Sequence, residues 1–178
     1  MKLKDILREK YDDERGDSIP NPLKTIPNAM DLIDEFDDIE HDYYEELDYI
    51  NGYLDDNGKD SRPRNEQSAT YRQDRKNFVT KFSKTTTLPI KDLITIEPDL
   101  DGKWIQKLKT SPQTKLPLIY EIRGNYIIID GNHRVAAQLA NNKSTVKVNL
   151  ISAQMVSDEV DRLYKLRVDG HQIFQNTR

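Results

Sequence analysis

A chain of 178 residues, 35% hydrophobic and 33% charged, suits one compact domain with an appendage better than two full domains. The low apolar share means that part of it buries little surface, and the absence of cysteine excludes disulfides, thiolate metal sites and a cysteine nucleophile. No apolar run nears the roughly 20 residues that span a bilayer, and Met1-Lys2-Leu3-Lys4-Asp5-Ile6 lacks a signal-peptide core, so the expectation is a soluble cytoplasmic protein without membrane contact.

The net charge of −4 is unevenly spread. From Asp31 to Asp56 there are twelve acidic residues and no Lys or Arg. From Lys59 to Lys91 nine cations face only Asp60, Glu66 and Asp74. Such segregation bears on electrostatic partners, not on fold.

Three regions are expected: a helical, charge-segregated stretch over 1–87, a domain over 88–151, and a C-terminal helix and tail over 152–178. A short helix is expected at Leu3 to Tyr11, then an extended or loose segment carrying Pro20, Pro22 and Pro27. Asn28 suits the N-cap of a helix from about Ala29. Its apolar residues Leu32, Ile33, Phe36, Ile39, Tyr43, Leu47, Ile50 and Leu54 recur at helical spacing, and Asn57-Gly58 would end it. Lys59 to Asn65 reads as a linker and Glu66 to Phe82 as a second helix, with Tyr71, Phe78 and Phe82 for packing.

The pattern changes at Leu88. Leu88-Pro89-Ile90, then Leu93-Ile94-Thr95-Ile96, reads as one lead strand, Ile90 to Ile96, or as two short extended pieces, and Gly102 to Lys109 as a brief helix carrying Trp104, Ile105 and Leu108. Leu116 to Ile122 and Tyr126 to Ile129 flank Arg123-Gly124-Asn125 and read as a β-hairpin. A helix follows from Asn132 to Asn141, then a strand from Val146 to Ile151. Ser152 or Ser157 would cap a last helix.

The turn between the second hairpin strand and the next helix is Asp130-Gly131-Asn132-His133-Arg134. The first amides of a helix have no intrahelical acceptor, and the helix dipole adds positive charge there. Gly131 allows a sharp turn and close approach. Arg134 offers a charged fork for phosphate oxygens. His133 adds a donor or a proton carrier. Asp130 would orient one of these or hold a divalent cation. The same residue types also serve as an ordinary turn and helix cap.

Leu88 to Ile151 resembles the ParB N-terminal family, which shares its fold with sulfiredoxin. Its Gly-x-His-Arg-x-x-Ala box falls on Gly131-Asn132-His133-Arg134-Val135-Ala136-Ala137. Sulfiredoxins place a reactive cysteine where this chain has Asn132, so sulfinic-acid reduction is excluded. The Asp-Gly-x-His-Arg form is similar to ParB-like nucleases, to a family of free-serine kinases and to DndB-type proteins of DNA sulfur modification. The resemblance implies an α+β fold: a small ParB/sulfiredoxin-like mixed sheet with helices, preceded by a mostly helical region. It also implies a nucleotide, ATP or CTP with Mg2+, as ligand. Gly131, Asn132, His133 and Arg134 would bind phosphate. Asp130 and His133 would be catalytic, joined by Glu97, which follows the lead strand where the kinase-like relatives carry an acidic residue.

The expected function is therefore phosphate chemistry on a nucleotide or nucleic acid, of nuclease, NTPase or kinase type. The alternative is a non-catalytic, DNA-associated regulator or interaction module. The acidic helix over 29–57 would either dock a protein partner or pack its apolar stripe on its own chain; the continuity of the stripe favours packing. The basic stretch would either bind nucleic acid through phosphates and stacking or pair with the acidic helix.

Overall fold

The computed structural model describes residues 18–54, 58–60, 64–111 and 114–176; the helix expected at Leu3 to Tyr11 lies outside them. In chain order they form β1 (Ser18–Pro20), α1 (Ala29–Ile50), α2 (Arg64–Phe82), β2 (Lys84–Pro89), a 3-10 turn (Ile90–Asp92), β3 (Leu93–Ile94), β4 (Asp99–Asp101), α3 (Gly102–Thr110), β5 (Leu118–Ile122), β6 (Asn125–Asp130), α4 (Asn132–Ala140), β7 (Thr145–Ser152) and α5 (Ala153–Asn176). The architecture is mixed α+β, with a five-stranded mixed sheet and a two-stranded ribbon. No described helix is long and apolar enough to cross a membrane. The chain divides into two compact units, the first joining the residues up to Ile33 with Lys84–Ile151, the second joining Asp34–Ser83 with the residues from Ser152 on.

In the first unit the sheet order is β2-β7-β5-β6-β3. β5 and β6 form the expected hairpin. Arg123 and Gly124 both take positive φ, 50° and 76°, the backbone of a two-residue turn whose twist matches its strands. β3 runs parallel to β6, pairing Leu93 with Tyr126 and Ile94 with Ile127. α4 buries Val135 in a cluster with Ile119 and Ile128 of the sheet. It turns Ala136, Ala137 and Ala140 toward Ile105 of α3, Ile19 of β1 and Leu100 of β4. Alanines on that side let the two helices approach closely, while each fully buried Ile or Val contributes about 1.5–3 kcal/mol.

Of the two readings of Leu88 to Ile96, the single lead strand, Ile90 to Ile96, is corrected, and two separate extended pieces are found. β2 begins earlier and pairs with β7, Lys84 opposite Leu150. The chain then turns through Ile90–Asp92, and β3 keeps only Leu93 and Ile94. Pro89 has no amide to extend a ladder, and the Ile90 amide instead bonds the Ser144 carbonyl at 2.9 Å. The β-branched run Thr85-Thr86-Thr87 was the signal for β2. The loose segment expected after Tyr11 contributes β1, whose Ile19 is 2% exposed.

In the second unit α1 and α2 meet through aromatic rings. Phe36 meets Phe78 edge-on at 6.4 Å between centroids, and Tyr43 meets Phe82 at 5.1 Å. The expected end of the acidic helix at Asn57-Gly58 is also corrected. α1 stops at Ile50, because Gly52 takes φ +72° and Asn51 and Gly52 close the last turn onto Leu47 and Tyr49. Two acidic residues of α1, Glu40 and Glu46, are met by cations of the same unit. Arg75 pairs with the buried Glu40, and Arg167 Nε lies 2.9 Å from Glu46 Oε2. Lys81 stacks over Tyr43 and bonds Glu159 at 2.5 Å.

Candidate functional site

β6 delivers Asp130 to the edge of the sheet, and α4 starts two residues later. Gly131 makes the change of direction at φ +105°, ψ 23°, left-handed backbone that side chains rarely tolerate. The amides of Asn132, His133 and Arg134 form the first turn, where no intrahelical acceptor exists.

Arg134 folds back across this turn. A Cβ on Gly131 would stand 2.7 Å from Arg134 Nη2, 2.9 Å from Nε and 3.0 Å from Pro117 Cα. The room that the glycine was expected to leave for a ligand holds the guanidinium itself. The Arg134 side chain is 18% exposed, with Nη2 3.0 Å from Asp130 Oδ1. Yet Nε and Nη2 are buried and neither is aligned in a hydrogen bond. Nη2 is held in the ion pair with Asp130, and Nε has no partner among the described residues.

Both oxygens of Asp130 are engaged, Oδ1 by Arg134 and Oδ2 by Lys115 Nζ at 2.6 Å. Burial pushes the Asp130 carboxyl up, but the Lys115 hydrogen bond and the Arg134 charge outweigh it and hold the group below the usual carboxylate range. Asp130 is thus an ionised counter-ion. Two cations against one carboxylate leave the cluster one positive charge in excess.

Asn132 is 2% exposed, and its Oδ1 has no hydrogen-bond partner among the described residues. His133 accepts the Asp101 amide hydrogen at Nε2, 3.0 Å away. A nitrogen that accepts carries no proton, so the neutral ring is protonated on Nδ1. Asp101 is also the N-cap of α3, its carboxylate accepting from the Trp104 amide at 3.0 Å. One residue therefore ties the starts of α3 and α4 together.

Glu97 lies in the loop after β3, with an exposed side chain. Its backbone is fixed: the Glu97 amide donates to Thr95 Oγ1 at 3.0 Å, and its carbonyl accepts from Asn21 Nδ2 at 2.9 Å. Because β3 and β6 are parallel with Ile94 opposite Ile127, both strands run toward the same end of the sheet, Asp130 as the last residue of β6 and Glu97 in the loop that follows β3. Asp130, Gly131, Asn132, His133 and Arg134 form one continuous cluster; the hydrogen bonds of Glu97 go instead to Thr95 and Asn21.

Sequence reasoning missed Lys115 and Asp101. Hairpin register sets Leu118 opposite Asp130, so a lysine just before β5 was placed to reach that carboxylate. Asp101 before Gly102 carried the ordinary N-cap signal. Among the described residues no three His, Asp or Glu side chains gather as metal ligands. No family model matches the chain, and neither does any curated protein.

Proposed function

We propose that the Asp130–Arg134 turn binds the phosphate of a nucleotide or other phosphate-bearing ligand. One observation carries the reading. Arg134 keeps Nε and Nη2 buried without an aligned hydrogen bond, at a helix start whose dipole favours anions. A buried donor left unsatisfied costs about 1–3 kcal/mol, more when charged. A phosphate presenting two oxygens to the guanidinium fork would offset that cost. The excess positive charge of the Lys115–Asp130–Arg134 cluster points the same way.

The hairpin that runs through Asp130-Gly131-Asn132-His133-Arg134 into a helix supports the ParB/sulfiredoxin-like resemblance, and with it ATP or CTP with Mg2+ as ligand. The magnesium would sit on the ligand's phosphates. Asp130 would take it only by giving up Lys115 or Arg134. A nucleotide is favoured over nucleic acid, because Arg75 and Lys81 of the basic stretch are already paired with carboxylates.

Phosphate chemistry is the fuller form of this reading. Asp130 suits it poorly as a base, because its lowered pKa makes it a weak proton acceptor and both its oxygens are paired. His133 keeps Nδ1–H as a donor while Nε2 is occupied. Glu97, exposed in the loop after β3, is the carboxylate that supports a catalytic role. Calorimetry with ATP and CTP plus Mg2+ tests the site. Arg134→Ala should lose about 1.5–3 kcal/mol of binding, as for charge-assisted hydrogen bonds; equal affinity would remove the site from Arg134. Turnover by wild type that disappears in Glu97→Gln with binding intact separates the enzyme from the regulator.

A further inference from the structure

The chain has a single tryptophan, and it is not used to build the core. Trp104 is 45% exposed, although it is the largest apolar side chain available for burial. Its neighbour Ile105 is 0% exposed and packs with the alanines of α4, so α3 is anchored without it. Lys107 holds Nζ over one face of the indole, 4.8 Å from its centroid, a cation–π contact that leaves the other face for a flat ligand.

The backbone that carries this ring is tied to the phosphate cluster. Trp104 is in the first turn of α3, its amide bonded to the Asp101 carboxylate at 3.0 Å. The amide of that same Asp101 bonds His133 of the phosphate turn at 3.0 Å. Less than one helical turn and one hydrogen bond separate the indole-bearing residue from His133. An exposed indole with an adjacent lysine is a stacking surface for a flat, electron-poor ring, and it serves every base because each has a π-face.

We infer that Trp104 is the platform on which the base of the ligand stacks, so that the phosphate site takes nucleotides in preference to base-free phosphates. This inference rests on the phosphate reading of the Asp130–Arg134 turn. It adds the substrate class: a phosphate joined to an aromatic base, gripped at one end by Arg134 and at the other by the indole.

Because Trp104 is the sole tryptophan, intrinsic fluorescence reports it directly. The full chain is titrated with CTP and with ATP, and in parallel with inorganic tripolyphosphate, each with Mg2+, by fluorescence and by calorimetry. Both nucleotides should quench the indole. Tripolyphosphate should bind with little quenching and should bind more weakly. Trp104→Ala should weaken nucleotide binding about tenfold, on the scale of one lost base stack, and leave tripolyphosphate binding unchanged. Trp104→Phe should recover most of the loss. If Trp104→Ala binds nucleotides as wild type does while tripolyphosphate still competes with them, the platform is overturned and the phosphate site stands. If neither nucleotides nor tripolyphosphate bind the wild-type chain, the phosphate reading fails and the platform falls with it.

Discussion

The guanidinium of Arg134 stands where a side chain on Gly131 would have to go: a Cβ there would lie 2.7 Å from Nη2 and 2.9 Å from Nε. The glycine is thus required twice, by its left-handed φ of +105° and by the arginine that crosses it. Gly131→Ala should lower unfolding free energy by about 1–3 kcal/mol, the usual cost of a side chain held in left-handed backbone plus local displacement. It should also weaken nucleotide binding, because the guanidinium must move. Urea melts paired with calorimetry check both; a stable variant with wild-type affinity would show that Arg134 is free to lie elsewhere.

Asp130 separates two roles for the cluster. As a counter-ion it opposes an incoming phosphate; as a ligand or metal-binding carboxylate it would assist one. Asp130→Asn removes one negative charge while keeping the side-chain shape. Removing about 1 kcal/mol of repulsion, the scale for unit charges near 4 Å in a strongly screened setting, should tighten nucleotide binding about fivefold. Calorimetry at fixed Mg2+ reads this. Loss of binding instead would place Asp130 on the ligand or on its cation.

The legible parts of the sequence were those with strong local signals. The hairpin stood out because two β-branched runs flank a turn with glycine, and α4 because Val135, Ala136 and Ala140 recur at helical spacing after Asp130-Gly131. Whether Leu88 to Ile96 made one strand or two pieces stayed open because Leu88-Pro89-Ile90 reads as one apolar run, whereas the proline divides two strands at opposite sheet edges. The helix end was ambiguous because Gly52 and Gly58 both take positive φ and only packing decides between them. At the site, the residue types of the turn were readable but their pairings were not. Lys115 on Asp130 and the Asp101 amide on His133 join residues 15 and 32 positions apart, and such contacts follow from register and helix packing rather than from local pattern.

Acid should act through Glu159. Hydrogen bonds from Arg162 outweigh burial and, with Lys81, pull its carboxyl down to about 2. A carboxylate whose folded-state pKa is depressed contributes stability above its unfolded value, lost as pH falls through the folded one. The window therefore runs from about 4.5 down to about 2. Asp130, also lowered, acts in the same direction. Asp37 acts oppositely: burial, then Glu40, push it up, so its protonation on acidification relieves strain. Thermal melts across this range should show wild type losing stability faster than Glu159→Gln. Parallel curves for the two proteins would remove Glu159 from acid unfolding.

The basic stretch offers the last test, between service to the fold and service to nucleic acid. Arg75 pairs with Glu40, which is only 4% exposed, and lies 5.9 Å from the Phe78 ring. Lys76, one residue on, is exposed. If the cations serve the fold, Arg75→Glu should destabilise strongly, because a second carboxylate then faces a buried one beside Asp37. Breaking a buried pair costs about 3–5 kcal/mol, and since the Arg75 side chain is 33% exposed the expected loss is about 2–3 kcal/mol, nearer the value for a charged hydrogen bond. Lys76→Glu, lacking such a partner in the core, should leave the melt within about 0.5 kcal/mol of wild type. If instead the stretch grips DNA or RNA, both reversals should weaken binding and flatten its salt dependence, because each removes a phosphate contact and its released counterion. Filter binding on single- and double-stranded DNA across a salt series, run beside thermal melts of the two variants, distinguishes these outcomes. The expected result is a large melting loss confined to Arg75→Glu and no salt-sensitive DNA binding by wild type. Tight, salt-sensitive binding that falls equally in both variants would show instead that this surface meets nucleic acid.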